Sequence, residues 1–493
     1  MTAESETRST HEAGPVIALL VVSAFVVILN ETIMSVALPR LMQDLNITAS
    51  SAQWLTTAFM LTMAVVIPAT GFLLQRFAIR TVFFSAMGLF TLGTVVAASA
   101  PGFSVLLVGR MLQACGTAIM MPLLMTTVLT LVPANRRGRT MGVISIVISV
   151  APAVGPTVSG LILSVLDWRW MFIVMLPIAL TAIGLGAIWV KNVTEPRSTP
   201  FDVFSLVLSA FAFGGLIFGL SSIGEAAEGN ALMPVWIPLV VGALALVWFV
   251  LRQLSLHQED RALLDLRTFR SRHFTVAMLI VAISTSALFG VLILLPIYLQ
   301  QVRGLDVLST GLLLLPGGIV MAVMAPIVGR TFDRVGPRPL VIPGTVIFCI
   351  ALWWMIALGA STSFVAIVSM HLVMSAGLAL MFTPLLTSAL GSLEPALYSH
   401  GSAIVGTAQQ LAGAAGTALF VATMSVATTA AEQGGQSVDA AATAGVHAAF
   451  LWGAGLGVVT VLLSFLVRRP PQVSDPSPDV RTDSTGEAYA VGQ

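Results

Sequence analysis

Long apolar runs make up most of the chain, and short polar segments separate them. About fourteen runs of roughly 18 to 25 residues carry almost no charge, which is the length that a helix needs to cross a lipid bilayer. The runs begin near Pro15, Ala52, Ile79, Phe103, Thr140, Trp168, Val203, Pro234, Thr275, Thr310, Leu340, Phe364, Gly401 and Val446. The pattern therefore predicts an all-α polytopic membrane protein with about fourteen transmembrane helices.

The composition supports this prediction and excludes several classes of function. Of the 493 residues, 57% are hydrophobic and only 9% are charged, whereas soluble domains carry about 25% charged residues. The net charge of +1 does not indicate a nucleic-acid partner. Cys115 and Cys349 lie in separate apolar runs, far from any metal-ligand spacing, so we predict that they are packing residues and that there is no metal site.

The sequence contains no motif of an enzyme or of an ATP-driven pump. It has no H-E-x-x-H segment, no G-x-S-x-G segment and no phosphate-binding G-x-x-x-x-G-K-[ST] segment. We therefore predict no cofactor. The energy for any transport has to come from an ion gradient or from the gradient of the solute itself.

Basic residues are distributed unevenly between the loops that join the runs. When the N-terminus is placed inside the cell, the outside loops contain only Arg40, Arg169 and Arg303, and nearly all other basic residues lie inside. The positive-inside rule therefore predicts a multi-pass protein of the cell (plasma) membrane with both termini in the cytoplasm. The terminal segments 1–13 and 469–493 are polar, and we expect them to be disordered.

A pattern that follows the second apolar run returns after the tenth. Its shared positions are Gly71, Arg76 and Arg80 in the first copy and Gly329, Arg334 and Arg338 in the second. The second copy has Asp333 where the first copy has Gln75. Internal repeats of this kind are typical of transporters built from two bundles. The repeat predicts a first six-helix bundle at 14–190, a second at 274–468, and between them a linker at 191–273 that carries two inserted helices.

Three further motifs lie in the first, fourth and fifth runs. The first run contains Asn30-Glu31-Thr32, the fourth contains Arg110 and Gln113, and the fifth contains the proline- and glycine-rich segment 151–160. With these motifs and the repeated loops, the chain resembles the major facilitator superfamily, specifically its fourteen-helix drug:proton antiporters of the lincomycin- and multidrug-resistance type. The resemblance covers nearly the whole chain outside the two terminal segments.

The resemblance implies a fold, a mechanism and a gate. The fold is the major facilitator fold with two inserted helices, and the mechanism is alternating access around a central cavity, with drugs exchanged for protons. The two repeated loops, defined by Gly71, Arg76, Arg80, Gly329, Asp333, Arg334 and Arg338, would form the cytoplasmic gate. The alternative is that their arginines only set the topology. The family's acid in the first run aligns with Asn30, which leaves open whether Asn30 or Glu31 occupies the proton site.

Glu31 is the only carboxylate within an apolar run, where a charge costs at least about 2.5 to 3.5 kcal/mol. It lies about 10 Å below the predicted outer end of its helix, and Arg110 lies at a similar depth in the fourth run. We therefore predict that Glu31 and Arg110 are neighbours and that, with Asn30 and Gln113, they form a proton-coupling site. The alternatives are a structural hydrogen bond or a carboxylate that extends to the outer interface.

Small residues repeat at every fourth position along the fifth run, which permits close helix contact. We predict a seam that closes the cavity against leakage, formed by Pro152, Gly155, Pro156, Ser159 and Gly160. The two prolines also favour a bend. Ordinary tight packing is the alternative.

Few other polar side chains lie in the apolar runs. His371 is in the twelfth run, and Gln409 and Gln410 are in the thirteenth. These three are candidates for lining the cavity, although a lone histidine more often has a structural role.

The sequence as a whole predicts a monomeric transporter in the lipid bilayer that exports hydrophobic or amphipathic drugs, neutral or cationic, in exchange for protons. One alternative is an exporter of a specific endogenous metabolite, peptide or lipid-like molecule. A passive facilitator and a membrane-embedded enzyme acting on lipids are the others.

Overall fold

The computed structural model describes residues 3–47, 49–192, 202–227, 233–256, 261–359, 361–468, 480–482 and 488–490. Within this part of the chain, thirteen helices are long and apolar enough to cross a membrane. The fifth predicted run forms a further helix of 29 residues. The prediction of an all-α membrane protein with about fourteen spanning helices is therefore confirmed.

The long helices follow the predicted runs in order and are numbered from α1. They are α1 (Ala3–Asp44), α2 (Ala49–Arg76), α3 (Ile79–Ala98), α4 (Phe103–Leu131), α5 (Arg137–Val165), α6 (Trp170–Trp189), α7 (Val203–Ser209, continued through the π-helical turn Ala210–Gly214 to Gly215–Ala227), α8 (Trp236–Leu256), α9 (Arg272–Ile297), α10 (Val307–Val335), α11 (Arg338–Met355), α12 (Phe364–Gly391), α13 (Tyr398–Gln433) and α14 (Val438–Ser464).

Short elements connect some of these helices. Three 3₁₀ turns span Ala134–Arg136, Leu266–Arg270 and Pro395–Leu397, and a π-helical turn, Tyr298–Val302, extends α9. In the polar C-terminal segment, β1 (Val480–Thr482) pairs antiparallel with β2 (Ala488–Ala490). The helix α1 begins at Ala3, so it also covers N-terminal residues for which the sequence predicts no secondary structure.

The helix contacts repeat between the two halves of the chain. In the first half α1 packs on α5, α2 packs on α4, and α3 packs on both α4 and α6. In the second half α9 packs on α13, α10 packs on α12, and α11 packs on both α12 and α14. Each contact of the first half thus has its counterpart in the second. This confirms the predicted architecture of two six-helix bundles with α7 and α8 inserted between them.

The two bundles meet along two pairs of helices. The more extensive contact is between α5 and α10, and the other is between α2 and α13. In the repeat, α2 corresponds to α10 and α5 corresponds to α13, so the two contacts are related by the same internal symmetry. The repeated loops follow α2 and α10, which places them at the ends of the helices that join the bundles.

The repeated loops differ at one backbone position. Gly336 in the second copy has a φ of +80°, a left-handed conformation that favours glycine. Ala78 stands at the equivalent position of the first copy with φ −62° and ψ 145°. The first loop turns without a left-handed residue, which explains why it accommodates an alanine there.

Polar bonds hold the two inserted helices together at the end that is predicted to be cytoplasmic. The carboxylate of Asp202 accepts hydrogen bonds from Nε and Nη2 of Arg252 at 2.8 and 3.0 Å, and from the hydroxyl of Ser205 at 2.5 Å. Gln253 donates to Ser205 at 2.7 Å and accepts the backbone N–H of Leu264 at 3.2 Å. The hydrogen bonds from Arg252 hold the pKa of Asp202 below its ordinary value.

We expect Asp202→Asn to lower the free energy of unfolding by about 1 kcal/mol at neutral pH, because it weakens a partly exposed pair. The folded-state pKa of Asp202 lies below its unfolded-state value of about 4, so the wild type keeps this stabilisation above that value. It loses the stabilisation as the pH falls through the folded-state pKa, and the two proteins should then converge. Thermal unfolding in detergent between pH 7 and about pH 3 measures the difference.

The exposed pair Arg40–Asp44 provides the control for this experiment, since the side chain of Arg40 is 57% exposed. Arg40→Gln should leave the midpoint unchanged at every pH. A difference between wild type and Asp202→Asn that stays constant with pH would contradict the assignment of the effect to the carboxylate.

Candidate functional site

A buried arginine lies in the first bundle. Arg110 on α4 is only 1% exposed, and its Nη1 donates to Oδ1 of Asn30 at 3.0 Å and to Oε1 of Gln113 at 3.1 Å. Its Cζ lies 4.2 Å from the centroid of the Phe59 ring, while its Nε has no hydrogen-bond partner among the described residues. Neutral amide oxygens and an aromatic face therefore surround this cation.

Gln113 is oriented by the neighbouring helix α3. Its Nε2 donates to Oγ1 of Thr94 at 2.9 Å, and the hydroxyl of Thr94 donates to the carbonyl of Phe90 at 2.7 Å. Because Thr94 has already donated its single proton, its oxygen accepts from Gln113. This arrangement directs the carbonyl oxygen of the Gln113 amide toward Arg110.

Glu31 lies beside this cluster but outside its hydrogen bonds. Its side chain is partly exposed, whereas Asn30 is 3% exposed. Glu31 and Arg110 interact electrostatically, while the hydrogen bonds of Arg110 go to Asn30 and Gln113. The structure thus brings the predicted group together, with Asn30 rather than Glu31 in direct contact with the arginine. In this arrangement the carboxyl group can change its protonation without breaking a hydrogen bond of Arg110.

The residue after Glu31 forms the contact between α1 and α5. Thr32 donates to the carbonyl of Leu29 at 3.0 Å, and its Oγ1 lies 3.4 Å from the carbonyl oxygen of Ala151. A Cβ atom on Gly155 would lie 2.8 Å from Cβ of Thr32 and still closer to its Oγ1. A glycine is therefore needed at position 155 for α5 to approach α1 this closely.

The other residues of the predicted seam differ in their surroundings. Ser159 is buried, and its hydroxyl lies 3.4 Å from the sulfur of Met171. Gly160 faces open space, with no atom within 4 Å of the position of a Cβ, so it takes no part in the close contact. The side chains of Pro152 and Pro156 lie outside the described part of the structure. The close approach of α5 to α1 thus depends on Gly155 and does not involve Gly160.

At the opposite end of α5, Asp333 of α10 joins the two bundles. Its carboxylate accepts hydrogen bonds from the backbone N–H groups of Gly138 at 2.8 Å and Arg139 at 2.9 Å. These groups belong to the first turn of α5, which has no helical acceptor for them and which favours a negative charge. A Cβ on Gly329 would lie 2.9 Å from the carbonyl carbon of Gly138. Two glycines thus let the carboxylate reach the helix end.

The first copy of the loop makes the corresponding contact with different chemistry. Gln75 at the end of α2 donates from Nε2 to the carbonyl of Ala396, just before α13, at 2.9 Å. A Cβ on Gly71 would lie 2.8 Å from Nδ1 of His400 on α13. Replacement of the acid by an amide has reversed the direction of the hydrogen bond, but contact between the bundles is preserved.

The arginines of the predicted gate lie near these contacts, at the ends of the same helices. Arg80 donates to the carbonyl of Ala187 at 3.0 Å, which is a bond within the first bundle. Arg76, Arg334 and Arg338 are exposed. The structure places Gly71, Gly329 and Asp333 of the predicted gate against the other bundle.

The segment between α8 and α9 adds a further contact at this end. Asp265 is 3% exposed and accepts hydrogen bonds from the N–H and Nε of Arg267 at 2.9 and 2.8 Å. Burial raises the pKa of Asp265, but the bonds from Arg267 outweigh it and leave the pKa below its ordinary value. Asp265 also interacts electrostatically with His400. This segment therefore connects the inserted helices to the beginning of α13.

Sequence reasoning missed one pair that bridges the bundles. Arg137 at the start of α5 donates from Nη1 to the hydroxyl of Tyr398 at the start of α13 at 3.2 Å. The signal was present, because Pro133-Ala134 before α5 and Pro395-Ala396 before α13 extend the internal repeat. Following the repeat into these loops would have indicated that the starts of α5 and α13 are equivalent.

Contacts between the bundles continue from the gate toward the middle of the molecule. The hydroxyls of Ser145 and Thr383 are 2.7 Å apart, and Nε2 of Gln410 lies 3.8 Å from the sulfur of Met63. Gln409 is partly exposed on the same helix as Gln410. The conformation is therefore closed on the side that is predicted to be cytoplasmic.

Comparison with known families identifies the chain. The sequence model of the Major Facilitator Superfamily matches residues 20–417. The chain belongs to the Major Facilitator Superfamily. It is therefore a multi-pass membrane transporter and not an enzyme.

Bacterial relatives span almost the same length as this transporter. The MFS-type transporter YcnB of Bacillus subtilis is 42% identical over 464 residues, which cover 94% of this chain and 97% of that protein. The lincomycin resistance protein LmrB of Listeria monocytogenes is 39% identical over 460 residues, with 92% and 97% covered. The multidrug resistance protein B homolog of Mycobacterium tuberculosis is 31% identical over 392 residues, with 79% and 72% covered. The predicted resemblance to resistance transporters is confirmed.

Solved structures of the same superfamily share the fold. The human organic anion transporter MFSD10 superposes with a TM-score of 0.66 at 15% identity, over 92% of this chain and 99% of that chain. The proton:xylose symporter XylE gives a TM-score of 0.64 at 16% identity, with 94% and 97% covered. These similarities confirm the predicted major facilitator fold.

We expect Gly155→Leu to abolish export by this MFS transporter while the protein remains in the membrane. A side chain at position 155 would displace Thr32, and with it Asn30 and Glu31. Overpacking of this kind costs about 1 to 3 kcal/mol. Efflux of ethidium, a fluorescent lipophilic cation, from cells measures the effect, and an immunoblot of the membrane fraction measures the amount of protein.

Gly160→Leu is the matched control, because it makes the same substitution on the same helix in open space. Transport by Gly160→Leu should equal that of the wild type in the same assay. Undiminished export by Gly155→Leu would rule out a functional role for this contact.

We also expect Asp333→Asn to weaken closure at the gate, because an amide accepts only one of the two N–H groups that the carboxylate now accepts. Spin labels at the exposed positions Asn135 and Arg338, one in each bundle, report the separation of the bundles at this end. The distribution of distances should extend to longer values in the variant. Glu394→Gln, which alters an exposed carboxyl group of the second bundle, should leave the distribution unchanged, and no change in Asp333→Asn would exclude the role of Asp333.

Proposed function

We propose that this protein exports hydrophobic or amphipathic compounds in exchange for protons and that Glu31 carries the proton. The observation that carries the proposal is the cluster of Arg110, Asn30 and Gln113, with Glu31 beside it in the interior of the first bundle. An ionisable pair is costly within a membrane and is retained where it serves transport. Asn30 contributes by holding the arginine while the carboxyl group of Glu31 gains or loses its proton.

The proton would act through the charge of Arg110. When Glu31 is ionised, it balances the buried guanidinium, and when Glu31 is protonated, the guanidinium loses that compensation. The relative energies of the two conformations of the transporter then change, because each presents different partners to the arginine. In the conformation seen here, which is closed on the predicted cytoplasmic side, Glu31 would exchange its proton with the outside.

The helix α5 supplies the connection between the proposed proton site and the gate. Gly155 contacts Thr32, the neighbour of Glu31, and the first turn of α5 binds Asp333 of the other bundle. The two contacts are 17 residues apart, from Gly138 to Gly155, which is about 25 Å along a helix. A shift of α1 at the proton site would thus be transmitted to the contact between the bundles.

We infer from the chemistry of the interior that the substrates are lipophilic and either neutral or cationic. Toward the middle of the molecule the bundles meet through apolar groups and a few uncharged polar ones, such as Gln410 beside Met63, and Glu31 is the acid beside Arg110 in the first bundle. The names of the relatives, which refer to lincomycin resistance and multidrug resistance, support a drug-like substrate. A monomer in the cell membrane with both termini in the cytoplasm, using the proton gradient and no cofactor, completes the proposal.

We expect Glu31→Gln to lower the rate of transport driven by an imposed pH gradient at least about tenfold, because the amide cannot bind a proton. The measurement is uptake of ethidium and counterflow of protons in proteoliposomes. Binding of ethidium to the purified variant should persist. Asp167→Asn, which alters an exposed carboxyl group, serves as the control. Transport by Glu31→Gln at the wild-type rate under the same gradient would refute the proposal.

The double substitution Asn30→Asp with Glu31→Gln tests which position the proton site requires. It moves the acid to the side chain that hydrogen-bonds Arg110 directly. If position 31 carries the proton, the double variant should stay as inactive as Glu31→Gln. Recovery of pH-driven transport would instead assign the proton site to position 30.

A further inference from the structure

The internal repeat gives Arg110 a counterpart in the second bundle. From Phe103 to Met120, α4 aligns with α12 at an offset of 261 residues, which pairs Phe103 with Phe364 and Gly116 with Gly377. The same offset pairs Arg110 with His371. The second bundle therefore carries an imidazole where the first carries a guanidinium.

Packing supports this register independently of the sequence. A Cβ on Gly116 would lie 2.8 Å from the backbone nitrogen of Phe90 on α3, and a Cβ on Gly377 would lie 2.6 Å from the backbone nitrogen of Phe348 on α11. The two glycines thus make the same close contact with equivalent neighbouring helices. The equivalence of Arg110 and His371 follows from the structure as well as from the alignment.

His371 has an unusual hydrogen-bonding state. Its Nδ1 is buried and has no hydrogen-bond partner among the described residues, and its Nε2 lies against Gly317 of α10. In a neutral imidazole one nitrogen carries a hydrogen and the other keeps a lone pair that can bind a proton. A buried ring nitrogen without a partner is costly, and a histidine that served packing alone would not be expected to retain it.

The ring packs against a segment of α10 at which the helix bends easily. A Cβ on Gly317 would overlap the imidazole, so the glycine makes room for the ring. Gly317 stands in the segment Pro316-Gly317-Gly318, which combines a missing backbone donor with two poor helix formers. The later proline of α10, Pro326, matches Pro68 of α2, whereas Pro316 matches Ala58. The second bundle thus has an additional point of bending beside His371, on the helix that meets α5.

No counter-charge faces the ring. The helices packed on α12 are α5, α9, α10, α11 and α13, and among the described residues none of their charged side chains interacts with His371. Their titratable and charged side chains are Arg137, Arg139, Arg272, His273, Arg330, Asp333, Arg334, Arg338, Cys349, Tyr398, His400 and Glu432. All of them except Cys349 lie near helix ends, and the thiol of Cys349 packs beside Gly457 of α14. Nothing in this conformation therefore balances a positive charge on the imidazole.

We propose that His371 is a second proton-binding site, in the second bundle, which takes up a proton on its unprotonated ring nitrogen when α10 moves at Pro316-Gly318. The proton comes from water and bonds to the free lone pair of the imidazole ring. Return of α10 buries the nitrogen again and releases the proton to water. The inference rests on the proposed proton coupling and deepens it. The first bundle has Arg110 with Glu31 beside it, and the second bundle has His371 at the position equivalent to Arg110.

The test observes the ring directly and does not depend on transport. Protein labelled with ¹⁵N-histidine contains six histidines, and the signal that His371→Gln removes belongs to His371. As the pH falls from about 9 to 5, this signal should move toward the doubly protonated position in the fraction of molecules in which α10 has moved. Ser375→Ala, one turn away on the same face toward Gly317, should leave the titration unchanged.

The variant Asp333→Asn, in which the gate is weakened, should shift the midpoint of the His371 titration, because it favours the conformation in which α10 has moved. A signal that stays in the neutral form over the whole range, in both the wild type and Asp333→Asn, would overturn the proposal. Titration of His371 in a Glu31→Gln background separates the two sites. If His371 titrates normally in this background, the proposal for His371 stands even when Glu31 does not couple protons to transport. Loss of the titration would show that His371 is not an independent site.

Discussion

The burial of one positive charge organises the first bundle. Arg110 cannot face lipid or stand alone in an apolar interior, so its guanidinium needs acceptors from neighbouring helices. Asn30 supplies one from α1 and Phe59 supplies a ring face from α2, while Thr94 on α3 orients the amide of Gln113. Four helices are thereby fixed around one group. Glu31 lies next to that group without being tied to it, and this is the arrangement in which a proton can alter the balance of charge.

A single helix relates this interior to the contact between the bundles. The outer half of α5 touches α1 at Gly155, and its first turn binds Asp333 on α10. Both contacts depend on glycine, because backbone and side chain approach more closely than a Cβ would allow. The inserted helices reach the same end of the molecule by another route, through Asp265 and His400. The contact between the bundles at this end is thus an assembly of helix ends, in which Asp333 and Gln75 bond backbone groups of the other bundle.

The two bundles share one architecture but differ in their polar residues. Asp333 accepts from the start of α5, whereas Gln75 donates to the carbonyl before α13, so equivalent loops use opposite hydrogen-bond directions. Arg110 and His371 likewise occupy one register with different charge behaviour. Packing tolerates such differences because backbone contacts define the fold.

The sequence alone determined the class, the helices and their pairing into repeated bundles, because apolar length and internal repetition are local properties of the chain. It also predicted that Glu31 and Arg110 are neighbours, since charges at one depth of a bundle seek each other. Only the tertiary structure decided that Asn30 takes the direct hydrogen bond, because a shift of one residue turns a side chain by about 100° around a helix. It likewise excluded Gly160 from the close contact with α1, since small size permits an approach but does not say which helix makes it.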